Sequence, residues 1–475
     1  MSIVTISNMM MMMKCFPSRL ASRKISSVVN KTITYRFDQA SCCWIYNRKF
    51  HCDHLLHTNN VDDLVSNHIP SIQWNANFLH GLSAEQIEFR QMVRDFAEKE
   101  LQPDLVYKID RAGSWDGFRQ FFTKLGSMGL LGITASPDYG GLGYDYFHHV
   151  IAMEELSRCA GGIGLSYGAH SNLCVNQINT HGNEEQKARF LPKLIDGTFI
   201  GSLAMSEVTS GSDVTSMRTK ATKPSKTADY YILNGSKFWI TNAPEADVIF
   251  VYAKTGEKEI TAFLIEKGME GFSIGQVIDK LGMRGSPTSE ILFDNVKIPE
   301  KNVVGKIGSG VYILMSGLDS ERLVLSGGPL GLMQAACELS FEYVHQRKQF
   351  GQPIGSFQLL QSKMADMYAK VSMSRSYLYN TARALDEYKK CTKNQLRPGP
   401  SPFTKDCAAV ILTLAESSTQ LALECIQLLG GNGYTNDYAA GRILRDSKLY
   451  EIGAGTSEIR RWLIGREINK EYLPK

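Results

Sequence analysis

The sequence predicts an α+β fold: a helical N-terminal region, a small β-sheet or barrel domain in the middle, and a C-terminal helical bundle. Three features carry the prediction. Apolar residues follow helical spacing from Leu82 to about residue 200, β-rich runs take over after that point, and long helical stretches resume beyond Gly310. At 475 residues the chain is too long for one small core and holds two or three domains. Its 43% hydrophobic and 21% charged residues are those of an ordinary globular protein, not a disordered one. The expected limits are 81–200 for the first helical domain, 201–305 for the β domain and 306–475 for the bundle.

The N-terminal segment reads as an address rather than as structure. Residues 1–36 hold six basic side chains (Lys14, Arg19, Arg23, Lys24, Lys31, Arg36), several serines and no acid, the composition of an organellar transit peptide. Without them the body carries 46 basic against 48 acidic residues, a net charge of −2 that gives no footprint for nucleic acid. No continuous apolar run of about 18 residues is present, so no membrane span is expected. Residues 37–80 contain Cys42, Cys43, Cys52 and five histidines, but the spacing matches no zinc pattern. That segment is read as linker or presequence remainder, and no metal site is expected. The other cysteines form no Cys-x-x-Cys pair and read as small buried apolar residues.

Within the body, Ser83 and Gln86 make a capping-box pattern. The helix they open has Phe89, Met92, Val93 and Phe96 at helical spacing, with Pro103 as its stop. Breaks are expected at 137–143 and at the glycine cluster 161–164. Runs 230–233 and 237–241 flank Asn234-Gly235, a strong hairpin signal. Runs 246–254, 260–266 and 289–298 add strands, the last stopped by Pro299. Residues 359–388 contain neither Pro nor Gly, a length suited to a bundle, and 391–403 read as a loop between two of its helices.

Four features carry chemistry. The string AMSEVTSGSD (204–213) places hydroxyls and backbone donors in one irregular loop at the helix-to-β transition. It suits a polyoxygenated ligand such as a nucleotide or a flavin ribityl chain, although such turns also cap helices. The string QLLGGNG (427–433) has more glycine than a C-cap needs and suits close approach of a ligand to backbone. It follows a helix, which excludes a Rossmann loop. Trp239-Ile240-Thr241 sets an indole beside a hydroxyl, apt for a planar heterocycle, while a lone strand Trp is more often core. Glu321 is the most informative residue. Leu314, Leu318, Val324 and Leu325 lie at i−7, i−3, i+3 and i+4, so this carboxylate shares the apolar face of its helix. Asp319 and Arg322 can pair with each other on other faces. A carboxylate drawn out of water without a local cation has its pKa raised toward neutrality and can serve as a base. A distant cation or a surface helix is the alternative.

Together these clusters resemble the acyl-CoA dehydrogenase family over residues 82–471. The strings AMSEVTSGSDVTS (204–216) and QLLGGNGYTNDYAAGRILRD (427–446) match family patterns in full. GLSYGAHSNLC (164–174), MSGLDSERLVLSGGPLGLMQA (315–335) and YEIGAGTSEIRR (450–461) are most similar to its isovaleryl-CoA branch. Most members carry the catalytic glutamate just before a Gly-Thr pair near the C-terminus. Here Ala454 precedes Gly455-Thr456, and Glu321 stands where the isovaleryl and long-chain branches place their base.

The resemblance implies an FAD enzyme ending in a four-helix bundle. FAD would be bound within one subunit by Leu203, Ala204, Met205, Ser206, Glu207, Val208, Thr209, Ser210, Gly211, Ser212, Trp239, Ile240, Thr241, Thr456, Ser457 and Glu458. Arg347, Gln358, Gln427, Leu428, Leu429, Gly430 and Gly431 would reach the FAD of a neighbouring subunit, in a homo-oligomer that is usually a tetramer. Acyl-CoA would meet Ser212, Tyr312, Asp319, Ser320, Glu321, Arg322, Ala454 and Gly455, with Leu165, Ala169 and Tyr450 shaping a short branched pocket. The implied reaction is isovaleryl-CoA to 3-methylcrotonyl-CoA in leucine breakdown, in the mitochondrial matrix. Glu321 would take the α-proton, flavin N5 the β-hydride, and an electron-transfer flavoprotein the electrons. A dehydrogenase for other short or long acyl chains, or a non-catalytic assembly member, are the alternatives.

Overall fold

The computed structural model describes Asn77, residues 79–392 and residues 401–473. The segment read as a transit peptide, nearly all of the linker after it, and most of the 391–403 loop therefore lie outside the described residues.

The capping box at Ser83 is present. Its hydroxyl accepts from the Gln86 N–H at 3.2 Å and its own N–H donates to the Gln86 side chain at 3.0 Å, opening α1 (Ala84–Glu100). The helix stops before Pro103, and that proline then opens α2 (Pro103–Ala112), where its missing N–H costs nothing. After α3 (Phe118–Ser127) comes α4 (Tyr146–Cys159), capped by the Asp145 carboxylate. The helical region breaks at extended Ala160, one residue ahead of the glycine cluster at 161–164, and the glycines themselves open α5 (Gly161–Gly168). The reason is packing. A Cβ at Gly164 would collide with Ser157, and one at Gly162 would press on the Met283 backbone, so glycine here permits close approach. The coil widens into π geometry over Ala169–Val175, then continues as α6 (Asn176–His181) and, behind a second capping box, α7 (Glu184–Ile195).

Eight strands form the middle sheet: β1 (Gly201–Ala204), β2 (Lys220–Thr222), β3 (Tyr230–Thr241), β4 (Val248–Lys254), β5 (Ile260–Glu266), β6 (Phe272–Val277), β7 (Thr288–Pro299) and β8 (Val303–Val304). They run in the order β6-β7-β3-β2-β4-β5-β8, with β1 parallel beside β4. The expected hairpin at Asn234-Gly235 is absent: β3 runs straight through it. The pair sits at a bulge where Gly235 has φ 136°, and Asn234 bonds across to Asn295, accepting from its N–H at 2.8 Å. Twelve-residue β7 pairs along the whole of β3, with Leu233 opposite Val296 and Thr241 opposite Thr288. That long-range ladder outweighs the local turn preference of the dipeptide.

The C-terminal region comprises α8 (Gly310–Leu325), α9 (Gly327–Gln346), a small ribbon of β9 (Lys348–Gln349) and β10 (Gln352–Pro353), then α10 (Gln358–Cys391), α11 (Thr404–Leu429), α12 (Ala440–Leu449) and α13 (Ser457–Tyr472). Among the described residues one segment, Thr404–Tyr434, is by length and composition apolar enough to cross a membrane, although the sequence leads to no such expectation. In the fold it packs against α9, α10, α12 and α13 as the core helix of the bundle. One apolar core joins α1, α4 and the bundle through residues such as Val93, Leu156, Leu332 and Leu414. A second lies between Leu194 and the sheet residues Phe250 and Leu264. Helix α8 belongs to both, contributing Leu314 and Leu318 to the second and Leu323 and Val324 to the first.

A buried ionic cluster ties the N-terminal helices to the bundle. Glu154 accepts from Arg90 at 2.9 Å, from Arg375 at 2.8 Å and from the Tyr379 hydroxyl at 2.7 Å. Glu155 receives Arg90 at 2.6 Å and Arg94 at 2.9 Å. Burial alone would raise both carboxyl pKa values, and the arginines more than reverse it, holding both below the usual range. Glu154→Leu therefore strands the fully buried Arg375, and urea unfolding of the holoprotein should show a loss of about 3–5 kcal/mol.

Candidate active site

One cavity of about 690 Å³ opens where the N-terminal helices, the sheet and the bundle meet. Fifteen of the residues expected at a ligand site converge on it: Leu165, Ala169, Leu203, Met205, Ser206, Gly211, Ser212, Trp239, Ile240, Thr241, Glu321, Tyr450, Ala454, Gly455 and Thr456. They come from α5, the β1 exit, the end of β3, α8 and the α12–α13 turn.

Glu321 stands on the cavity wall in α8 and is 7% exposed. No hydrogen bond or ion pair to a described residue engages its carboxylate, and Oε2 is buried without a partner. Both nearby guanidiniums are occupied elsewhere. Arg322 pairs with Asp319 at 2.9 Å. Arg460 donates to the carbonyls of Tyr450 at 2.7 Å and Gly453 at 2.6 Å. Burial lifts the Glu321 pKa to about 7, against the weaker opposing fields of Arg322 and Arg460. A carboxylate so placed changes protonation near neutrality inside an apolar pocket, as a general base requires.

The same cavity has a surface rich in hydroxyls. Ser206, Ser212, Thr241 and Thr456 all border the cavity, and Trp239 is 58% exposed beside them. The backbone explains why this indole is not core. A register shift between Lys237 and Ile240, with Trp239 at φ 65°, turns it out of the β3 ladder. Glu207, by contrast, faces inward: it pairs with buried Lys237 at 2.9 Å and accepts from the N–H groups of Arg218 and Thr219, clamping the 204–213 loop to β3. Its contacts hold the loop's shape and do not reach the cavity.

The turn between α12 and α13 is strained. Ala454, which is not glycine, has φ 56°, and Gly455 follows at φ 91°. Among the described residues, no acceptor takes the Ala454 N–H. Arg460, 1% exposed, fixes the turn through its two carbonyl bonds. The floor is sealed by the Tyr450 ring, also 1% exposed, whose hydroxyl packs where a Cβ on Gly328 would lie.

The remaining expected residues lie elsewhere. Asp319, Ser320 and Arg322 are buried on other faces of α8, and Tyr312 is 66% exposed in its first turn. Ala204 at the end of β1, Val208, Thr209 and Ser210 in the loop after it, and Ser457 and Glu458 at the start of α13 do not line the cavity. Arg347, Gln358, Gln427, Leu428, Leu429, Gly430 and Gly431 gather at one end of the bundle, where Asn432 bonds the Tyr343 hydroxyl at 2.9 Å. Gly430 and Gly431 face open space there, and Gly430 has φ 59°. Sequence reasoning missed Arg460 and Lys280, Asn172, Thr288 and Lys448 on the cavity wall. Only Arg460 left a signal: the glycines at 453 and 455 mark an irregular turn whose carbonyls need a donor.

A cavity lined by one unpaired carboxylate, several hydroxyls and an exposed indole has room and donors for a flavin with its ribityl chain. Set between helices and a small sheet, it defines an FAD-dependent oxidoreductase. The family models for the acyl-CoA dehydrogenase N-terminal, middle and C-terminal domains match residues 83–198, 202–296 and 308–469, and the chain belongs to that family. It is 54% identical over 400 residues to the mitochondrial isovaleryl-CoA dehydrogenase of Pongo abelii, covering 83% of this chain and 91% of that one. It is 51% identical over 393 residues to the mitochondrial 2-methylacyl-CoA dehydrogenase of Solanum tuberosum, covering 82% and 92%. Among solved structures, butyryl-CoA dehydrogenase from Megasphaera elsdenii superposes with a TM-score of 0.76 at 34% identity, covering 82% of this chain and 99% of that one.

Two consequences are measurable. Because the folded Glu321 pKa lies above the unfolded value of 4.5, its ionised form costs stability above pH 7, and protonation relieves that cost as pH falls. Glu321→Gln should thus raise Tm more near pH 8.5 than near pH 5.5, keep the yellow flavin, and cut turnover by about 10³-fold. Wild-type kcat should fall as pH drops through about 7. Gly328→Ala, by pushing Tyr450 into the cavity, should lower kcat/KM by about 10–100-fold while FAD content stays constant.

Proposed function

We propose that this enzyme oxidises isovaleryl-CoA to 3-methylcrotonyl-CoA, a step of leucine breakdown in the mitochondrial matrix. The observation that carries the reading is the lone Glu321 carboxylate, buried and unpaired on the cavity wall, with Ala454 at the alternative family position. The similarity to isovaleryl-CoA dehydrogenases supports the substrate.

In this reading the acyl chain lies between α8 and the strained turn. Glu321 removes the α-proton, which is weakly acidic until negative charge on the thioester oxygen is stabilised. The Ala454 N–H, held ready by Arg460, donates to that oxygen. FAD, when bound, would supply the acceptor for the β-hydrogen as hydride, with an electron-transfer flavoprotein as the onward acceptor of the electrons. Ser206, Ser212, Thr241, Thr456 and Trp239 hold it within one subunit. Arg347, Gln358 and Gln427 to Gly431 would reach the FAD of a neighbouring copy in a tetramer, a reading supported by their distance from the cavity and the open space around both glycines. Leu165, Ala169 and Tyr450 limit the acyl chain to a short branched one. The basic segment 1–36 serves as the mitochondrial address.

The relative named for 2-methylacyl-CoA supports a second reading, a chain branched at C2. Both are tested by kcat/KM for isovaleryl-, 2-methylbutyryl-, butyryl- and octanoyl-CoA, with anaerobic flavin bleaching recorded. Isovaleryl-CoA should lead by at least about tenfold, the discrimination that a methyl group's placement in an apolar pocket gives. A lead for 2-methylbutyryl- or octanoyl-CoA overturns the substrate, and no bleaching by any thioester overturns catalysis altogether.

A further inference from the structure

The wall leading from α5 into the widened coil presents Leu165, Gly168, Ala169, Asn172 and Leu173 to the cavity, at i, i+3, i+4, i+7 and i+8. Four of the five are apolar or glycine. Asn172 is not, and it is 3% exposed. Its Oδ1 is buried without a partner, and its side-chain N–H groups donate to no described residue. His170, Ser171 and Asn176, on other faces of the same coil, are engaged, whereas the Ser166 hydroxyl is buried without a partner. His170 bonds the Leu194 carbonyl and accepts from the Gly201 N–H, both at 2.9 Å. Ser171 donates to the Tyr167 carbonyl at 2.9 Å and meets His149 at 2.8 Å. Asn176 accepts from the Tyr146 hydroxyl at 3.2 Å. Folding has engaged these three side chains away from the cavity and left unpaired the amide that borders it. A buried amide with no partner is unfavourable, so its place on an otherwise apolar wall calls for a function.

We infer that Asn172 selects acyl-chain length. The inference rests on the acyl-CoA reading proposed for the cavity and names what sets its upper limit. A short branched chain leaves the carboxamide hydrated. A longer straight chain reaching past Leu165 and Ala169 covers it with methylenes that neither donate nor accept, and the binding step bears the cost of the unpaired amide. The wall thus rejects long chains by polarity as well as by volume.

Asn172→Leu tests this, since leucine keeps the shape of the side chain and removes its donor and acceptor. Wild type and variant, both FAD-loaded, are compared on isovaleryl-, butyryl-, hexanoyl- and octanoyl-CoA, with Tm of the substrate-free enzymes recorded. The octanoyl-to-isovaleryl ratio of kcat/KM should rise about tenfold, mainly through KM for octanoyl-CoA, with Tm unchanged or higher. An unchanged ratio, or an equal loss on every thioester, overturns the inference. If Asn172→Leu yields no flavoprotein, the same ratio is measured in Asn172→Ala, where a rise supports the inference and an unchanged ratio overturns it. The wild-type profile alone judges the isovaleryl reading; the variant-to-wild-type change in the ratio judges Asn172, so either can fail without the other.

Discussion

Removing one carboxylate from water without supplying it a cation is the constraint on which the rest of the site turns. An acidic side chain in an apolar setting is costly, and proteins ordinarily meet the cost with a salt bridge. Here the two arginines within electrostatic reach of Glu321 are committed elsewhere, one to Asp319 and the other to backbone carbonyls. The carboxyl pKa is consequently carried up to about 7. Had either guanidinium turned toward it, the group would be a structural ion pair, permanently charged and a poor proton acceptor.

Such an arrangement needs a rigid frame. Helix α8 sits in two apolar cores at once, so its rotation is fixed from both sides and Glu321 cannot swing to solvent. Behind it, the Arg90, Glu154 and Arg375 cluster locks α1, α4 and α10 together. Strain is placed at the rim of the cavity. Trp239 and Ala454 both take left-handed backbone angles, each held by its surroundings: a sheet bulge for one, Arg460 for the other.

Local readings succeeded where the signal was local. The capping box at Ser83, the long α10 and the apolar face around Glu321 each depend on residues within two turns of helix, and each is found as read. Readings failed where a distant partner decided. Asn234-Gly235 favours a hairpin in isolation, yet β7 pairs with both of its flanks and holds the strand straight. The break expected at the 161–164 glycines falls just before them at Ala160, while the glycines themselves are helical and let Ser157 and Met283 press close. Arg460 and Asn172 were not legible as site residues, because their importance lies in which atoms they meet, or fail to meet, across the cavity.

By itself the sequence determined the helix–sheet–helix order, the family and the isolation of Glu321 from local cations, all of which follow from spacing along one chain. Only the tertiary structure decided that no cation among the described residues pairs with Glu321, Arg460 being committed to carbonyls, and that the hydroxyl loop, the Trp239 bulge and the Ala454 turn border a single cavity. The physical reason is that desolvation and pairing depend on every element packed around a group. A linear pattern specifies which face is apolar, whereas the assembled fold specifies what that face meets.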